Sequence, residues 1–317
     1  MAEKTCSDVD FQNLYESLGP SECSKQLGIN VRTVHARRKR LERLNDIAIQ
    51  SPIAAGGILT ELFCGRYAKR FPITIKNGIV MVGSDQHYTP GIIHTAHRGF
   101  VHLARELKPY ALIGNGDALD GVGISRHPLR GWEKHISVKD QLECVDERLT
   151  EWEDACKAAL LIWDVGNHDM RFDARLAQNN REFDGVKGMT LSDHFPRWKF
   201  AVSTWINNEI VVKHRFKGGI HAAHNNTLNA GRTMITGHLH SLKVTPFDDY
   251  NGTRWGVDTG TMADPYGEHA DYTEDAPLNH RQGFIVLTFW NGKLLWPEIV
   301  RVLDEKHIDF RGKVIEV

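Results

Sequence analysis

Five short apolar runs in this chain each stop at residues that bind metals. Ile79–Val82 leads to Asp85 and His87, Ala111–Ile113 to Asp117, and Leu160–Val165 to Asn167. Ile210–Val212 leads to His214, and Met234-Ile235 to His238 and His240. Short apolar runs bounded by polar or glycine residues read as buried strands. In open α/β folds, residues just past the carboxyl ends of strands gather on one edge of the sheet, and loops held there by a rigid scaffold carry catalytic groups. The pattern therefore directs the chain to a layered α/β fold with one edge rich in carboxylates and imidazoles. His238 and His240, two residues apart, point the same way at strand spacing, although a lone His-x-His pair arises by chance.

The 317 residues suit one large domain with a small appendage. Net charge is −1, so whole-chain electrostatics name no partner. Histidine is the anomaly: 13 of the 17 fall between His87 and His240, and imidazole is the commonest protein ligand for transition metals. The five cysteines (Cys6, Cys23, Cys64, Cys144 and Cys156) are odd in number and form no C-x-x-C pair. That argues against a disulfide framework and a zinc ribbon and fits a reducing cytoplasm. No signal peptide is apparent, and no apolar run approaches the roughly 20 residues that span a bilayer.

The pattern predicts three parts: a helix-turn-helix module over 1–48, a linker over 49–75, and a catalytic domain over 76–317. Phe11, Leu14, Tyr15 and Leu18 give the stripe of a short amphipathic helix that Gly19-Pro20 ends. Ser21 can cap a second short helix to Leu27, Gly28 fits the turn, and Asn30 can cap a third from Val31 to about Leu44. Val34, Leu41 and Leu44 remain for its buried side. Arg32, Arg37, Arg38, Lys39, Arg40 and Arg43 make this last helix basic, as docking on DNA requires. The segment "LGINVRTVHARRKRL" resembles the helix-turn-helix of resolvase-like and regulator proteins; a helical interaction module with a solvated basic face is the alternative. Further on, helices are expected over His94–Leu107 and Val138–Ala159. Asn251-Gly252 and Asn291-Gly292 are hairpin signals.

Two aspartates, an asparagine and four histidines exceed what one tetrahedral site needs. They suit two ions that share a carboxylate. The mixture of oxygen and nitrogen favours Mn, with Fe or Zn as alternatives, over Ca.

The order D-x-H, G-D, G-N-H-D, H, G-H-x-H is similar to that of calcineurin-like metallophosphoesterases. Here it reads Asp85-x-His87, Gly116-Asp117, Gly166-Asn167-His168-Asp169, His214, and Gly237-His238-x-His240, over about residues 77 to 242. The resemblance implies a four-layer fold of two packed β-sheets flanked by helices, and metal-dependent hydrolysis of phosphoesters. It implies that Asp85, His87 and His240 hold one ion, that Asn167, His214 and His238 hold the other, and that Asp117 bridges them. His168 would face the phosphate and protonate the leaving oxygen or stabilise its charge. Asp169, the nearest carboxylate in sequence, is its expected partner. "VVKHRFKGG" departs from the family's usual His-Gly, which leaves His214 the least secure ligand.

Other residues stay open between two roles. Asp120 is expected to organise a loop or support the ligands. Arg171 suits either a phosphate contact or a salt bridge, and His221 and His224 are possible substrate contacts. His94, His97 and His102 fit a helix surface. The long segment 121–188 carries Arg126, Arg130, Trp132, Lys134, His135, Arg171, Arg175 and Arg181. These suit a nucleic-acid backbone, or equally a solvated loop. The basic helix favours a DNA-directed phosphodiesterase or nuclease. The alternatives are a phosphatase or cyclic-nucleotide phosphodiesterase acting on nucleotides or phosphoproteins, and a DNA-binding regulator whose metal site is structural. The pairing of the two modules resembles proteins of phage genomes, an analogy only.

Overall fold

A computed structural model describes residues 6–45, 49, 62–63, 66–125, 136–267 and 278–317. Contacts divide the chain into two units, Met1–Leu59 and Thr60–Val317.

The larger unit is built on strands whose two faces are both covered. In the strand Gly78–Gly83, Val80 and Val82 point one way and Met81 the other. Ala111 and Ile113 alternate with Leu112 in Ala111–Gly114, Ile162 with Leu161 and Trp163 in Leu160–Asp164, and Ile285 and Leu287 with Phe284 and Val286 in Gly283–Trp290. A period of two with apolar residues on both faces requires a layer on each side. One set packs against a second sheet through Ile206, Ile210, Val212, Ile235 and Val257. The other packs on the helices Thr95–Leu107 and Val138–Ala155, where Phe100 stacks on Trp152 at 3.8 Å between centroids. The helix Ala222–Ala230 covers the outer face of the second sheet, where Thr227 Oγ1 donates to the Trp255 carbonyl. The architecture is thus the expected four layers, helices–sheet–sheet–helix.

Among the described residues the larger sheet has Leu160–Asp164, Ala111–Gly114, Gly78–Gly83 and Gly283–Trp290 at its centre, and the first three run parallel. The smaller sheet runs Lys243–Asp249, Gly252–Asp258, Thr233–Thr236, Ile210–Lys213, Thr204–Ile206, Phe71–Ile73. Within it Thr233–Thr236 and Ile210–Lys213 are parallel. Five parallel strand ends, three from one sheet and two from the other, therefore precede the five metal-binding motifs.

The two hairpin signals hold. Asn291 and Gly292 both take positive φ (49° and 79°) between the paired residues Trp290 and Lys293, as a two-residue turn of type I′ requires. At the other, Gly252 already pairs with Asp249, so the turn sits one residue earlier than the Asn-Gly pair. The expected linker 49–75 is shorter than its composition suggests. Tyr67–Ala68 pairs with the larger sheet and Phe71–Ile73 lies parallel to Thr204–Ile206 in the smaller, because Tyr67 and Ile73 are apolar enough to be buried there. Cys64 and the linker's Gly-rich stretch lie outside the described residues.

The smaller unit has helices Asp8–Leu27 and Val31–Asn45 about a turn at Gly28 (φ 63°). Gly19, at φ 74° and ψ 176°, breaks the first where Gly19-Pro20 was expected to end it, so the first and second expected helices run on across that kink. Phe11, Tyr15, Cys23, Val34, Leu41 and Ile49 form its core. Leu44, expected on the buried side, is exposed, and Ile49 is buried in that core. Of the six cations expected on DNA, Arg37 is drawn inward to Asp8, and the exposed Arg40 pairs with the same aspartate. The Arg37 guanidinium donates to Asp8 at 2.7 Å and lies over the Phe11 ring, and Arg40 donates to the same carboxylate. Arg38 lies over Tyr15 and near Glu42, while Arg32, Lys39 and Arg43 are exposed.

Asp164, at the end of the strand that leads to Asn167, offers a stability test. It is fully buried, Oδ1 accepts from Thr204 Oγ1, and Oδ2 has no hydrogen-bond partner. Burial raises its carboxyl well above the ordinary carboxylate range. A group whose folded pKa is raised holds its proton in the folded state after the unfolded chain has lost it. Stability is then full below the unfolded pKa and falls as pH rises towards the folded one. Asp164→Asn is expected to remove that decline and to stabilise by about 1 kcal/mol or more at pH 8. Parallel urea titrations at pH 5 and pH 8 would read it, and an equal pH dependence in both proteins would overturn it.

Candidate metal centre

The loops after the five strands hold backbone that side chains rarely adopt. Among the described residues eleven non-glycine positions have positive φ, and five are Asp85 (54°), His87 (43°), Asp117 (58°), His238 (70°) and His240 (57°). Such conformations cost free energy and persist where the surroundings fix them. Here the loops zip together: Asp85 N donates to Gly116 O at 2.9 Å, His87 N to Asp117 O at 3.0 Å, and Gly237 N to His214 O at 2.8 Å. The motif glycines permit that approach. A Cβ on Gly166 would overlap Asp117, and one on Gly237 would overlap Ser84 Oγ and Asp85 Oδ2.

Three groups of donors result among the described residues, one of them His87 with Asp120 and His168, and the other two hold expected ligands. Asp85, His87 and His240 present ligand atoms within 4.8 Å of one another, and so do Asp117, His214 and His238. His240 Nε2 lies 3.0 Å from Asp85 Oδ1, and His214 Nε2 lies 3.0 Å from Asp117 Oδ2 and 3.2 Å from Asn167 Oδ1. The groups adjoin: His214 Nε2 is 4.0 Å from Asp85 Oδ1. The Asn115 carbonyl lies 2.8 Å from His214 Nδ1, which turns Nε2 towards the carboxylates, the arrangement that orients metal-binding imidazoles. His214, the least secure ligand in the sequence, is fully buried between Asp117 and Asp85. His238 is exposed at the mouth.

The electrostatics suit cations. Burial would raise the Asp85 carboxyl, but the charges of His240 and His214 hold it well below its usual range. Asp117 is likewise held low, against burial, by His214. Burial opposes protonation of His214, yet Asp117 and Asp85 push its pKa up to about 10. The buried Nδ1 of His240 has no hydrogen-bond partner. Carboxylates that draw protons onto buried imidazoles, with a donor nitrogen left over, fit divalent ions held by mixed oxygen and nitrogen ligands.

His168 stands beside the second group, its backbone N donating to Asp117 Oδ1 at 2.7 Å. The carboxylate that holds its ring is Asp120, not Asp169. His168 Nδ1 lies 2.9 Å from the Asp120 carbonyl and 3.1 Å from Asp120 Oδ1. His87 Nδ1 lies 3.1 Å from the same oxygen, so one carboxylate clamps a ligand and its neighbour. Asp169 is occupied elsewhere: it accepts from the backbone of Asp117, Leu119 and Gly166 and from Trp163 Nε1. Sequence adjacency misled because Asp169 starts a helix and its side chain folds back to tie two loops. Burial lowers the His168 pKa, but the Asp120 hydrogen bond and the Asp117 charge outweigh it and leave it raised.

Arg171 is held beside His168 without a direct salt bridge. Nη1 donates to the Asp120 carbonyl at 2.8 Å and Nη2 lies 3.2 Å from His168 Nε2. His224 packs edge-on to Phe247 at 5.6 Å, and His221 is the exposed residue before the helix Ala222–Ala230; no hydrogen bond joins either to the ligand groups. His97 is buried, not on a helix surface. Tyr88 OH and Trp152 Nε1 converge on its Nδ1, and its Nε2 faces Glu151 at 2.9 Å. The 3.6-residue periodicity that placed it beside His94 missed these partners. His280 lies 4.6 Å from the His240 ring, and burial together with the charge of His240 lowers its pKa to about 4. No motif in the sequence marks it. Arg126, Arg130, Trp132, Lys134 and His135 lie outside the described residues.

Neither protein-family models nor curated proteins give a match. Among solved structures, the chain is similar to a single mutant of Vps29 from Entamoeba histolytica, with 13% identity and a TM-score of 0.39, covering 75% of this chain and 99% of that one. Yfce, a phosphoesterase from E. coli, gives 13% identity, a TM-score of 0.34, and coverage of 69% and 97%. A protein serine/threonine phosphatase from Saccharomyces cerevisiae gives 12%, 0.36, and coverage of 75% and 85%. No helix among the described residues is long and apolar enough to cross a membrane.

Proposed function

We propose that this chain hydrolyses phosphoester bonds with two divalent metal ions, and that its substrate is a phosphodiester of DNA. The observation that supports hydrolysis best is the joining of two three-residue donor groups at one edge of the sandwich, with His168 beside them. Asp85, His87 and His240 would hold one ion and Asn167, His214 and His238 the other, with Asp117 shared. Mn is the proposed metal, with Fe or Zn as alternatives. Such ions supply positive charge to phosphoryl oxygens and make water acidic enough to serve as nucleophile.

The residues around them do the rest. Asp120 fixes Nδ1 of His168, and Nε2, which Arg171 Nη2 approaches at 3.2 Å, would face a leaving oxygen once that guanidinium turns onto the phosphate. Arg171, anchored on the Asp120 carbonyl, brings its guanidinium to the same place and adds charge where the transition state gains it.

The DNA reading rests on the N-terminal unit. Arg32, Lys39 and Arg43 are exposed on one helix, and a tethered cationic helix raises the local concentration of a polyanion. Metal-reconstituted protein should be assayed in parallel on single-stranded DNA, duplex DNA, cyclic nucleotides and phosphomonoesters. Cleavage of DNA ahead of the others is expected. A strong preference for monoesters would move the assignment to a phosphatase, and inertness towards every ester with Mn, Fe and Zn would sink it.

A further inference from the structure

A second cationic site opens beside the metal centre. A cavity of about 330 Å³ begins at Asn167 and is lined by Arg171, Arg175, Arg215 and Gln178, with apolar side chains between them and no carboxylate. The three arginines arrive from two elements. Arg171 and Arg175 are one turn apart on the helix Met170–Asn179 and so share a face. Arg215 directly follows His214 at the end of its strand. Arg171 is fixed by the Asp120 carbonyl, whereas the guanidiniums of Arg175 and Arg215 are exposed and have no partner among the described residues. Arg171 shares the charge of Asp120, Asp117 and Asp169, whereas the cations of Arg175 and Arg215 are needed neither by the sheet nor by the metal ligands.

We propose that this cavity binds the phosphate next to the scissile one, so that the substrate carries at least two phosphates along a strand. This deepens the phosphoesterase reading and rests on it for the place of the scissile group. The planar guanidinium matches the geometry of phosphate oxygens. A second, mainly apolar cavity of about 380 Å³ adjoins the first along the same helix and shares Met170 and Ala174 with it, with Leu176, Ala177 and Phe183 in its wall and Arg66, Arg181, Asp173 and Asp184 among its other lining residues. A cationic cavity alternating with an apolar one suits the alternating phosphate and base of a single-stranded oligonucleotide, as general strand-binding grooves do. A nucleoside polyphosphate has the same adjacent phosphates but no following base.

The test is a double variant, Arg175→Ala with Arg215→Ala, in the full chain. Both positions are exposed, so folding is preserved. The ratio of kcat/KM for a 5′-phosphorylated trinucleotide to that for bis(p-nitrophenyl) phosphate is expected to fall about 10- to 100-fold, the effect of one or two charged hydrogen bonds. A nucleoside triphosphate hit as hard as the trinucleotide would overturn the strand in favour of a polyphosphate. A ratio within threefold of wild type would overturn the subsite itself. Binding of a fluorescent trinucleotide to metal-free protein gives a readout independent of turnover. There the variant should bind about tenfold or more weaker, with a shallower salt dependence. Wild type inert on both esters but with this binding difference intact would refute the phosphoesterase reading and keep the anion site; equal binding by variant and wild type would refute the site.

Discussion

Asp117→Asn is expected to lower kcat/KM for phosphodiester cleavage on the order of 10³-fold, the loss of several kcal/mol of transition-state stabilisation. Asp117 lies where the two donor groups meet, with Oδ2 3.0 Å from His214 Nε2 and Oδ1 accepting from the backbone of His168 at 2.7 Å. Asparagine keeps the shape and can keep the second contact, so the loop stays in place. It loses the charge that both ions would share. Metal analysis of the dialysed variant should therefore show both ions weakened, whereas His238→Ala should weaken one and His240→Ala the other. The metal-free fold should lose stability at neutral pH, because His214 holds the Asp117 carboxyl low and asparagine leaves that buried imidazole without its main counter-charge. Thermal unfolding of the metal-free variant is thus expected below the wild-type temperature, with the difference shrinking as pH falls and the carboxylate is protonated. A variant that retains two ions and cleaves within tenfold of wild type would show that Asp117 is not shared.

How much of this was legible in the chain can be judged from single residues. The strands were legible because both faces are buried, so Val80, Met81 and Val82 all had to be apolar. Their ends were legible because glycine and metal-type residues follow at once. Gly166 and Gly237 stand where a Cβ would overlap Asp117 or Asp85, which is why the motifs carry glycine. Side-chain direction was not legible. Asp169 and Asp120 are both acidic and near His168 in the chain or fold, and only the turn of each backbone decides that one ties loops while the other holds the imidazole. The positive φ values of Asp85, His87 and Asp117 have no sequence signal, since aspartate and histidine occur in every region of backbone space. His97 shows the same limit: helical spacing located its Cα but not the Tyr88, Trp152 and Glu151 that enclose its ring. Cation counts misled in the N-terminal helix, where Arg37 faces inward because Asp8 and the Phe11 ring give it a better environment than solvent.

His168→Ala separates proton donation from ion binding. His168 Nδ1 is held by Asp120 and Nε2 lies 3.2 Å from Arg171 Nη2, so Nε2 would serve the leaving oxygen once that guanidinium turns onto the phosphate. A nucleotide's alkoxide leaves poorly without a proton, and removing a positioned acid costs about 10²- to 10⁴-fold. A nitrophenolate leaves without one. The variant is therefore expected to lose that factor on an oligonucleotide and less than about tenfold on bis(p-nitrophenyl) phosphate. Metal content should stay at the wild-type level, because the imidazole belongs to neither donor group that Asp85 and Asp117 anchor. Asp120→Asn should copy the effect in part, since it weakens the clamp on His168, and should also weaken the ion held by His87, which shares that oxygen. Equal losses on both esters would assign His168 to charge stabilisation instead of proton transfer. A fall in metal content would place it among the ligands, with His87 and Asp120 as its group.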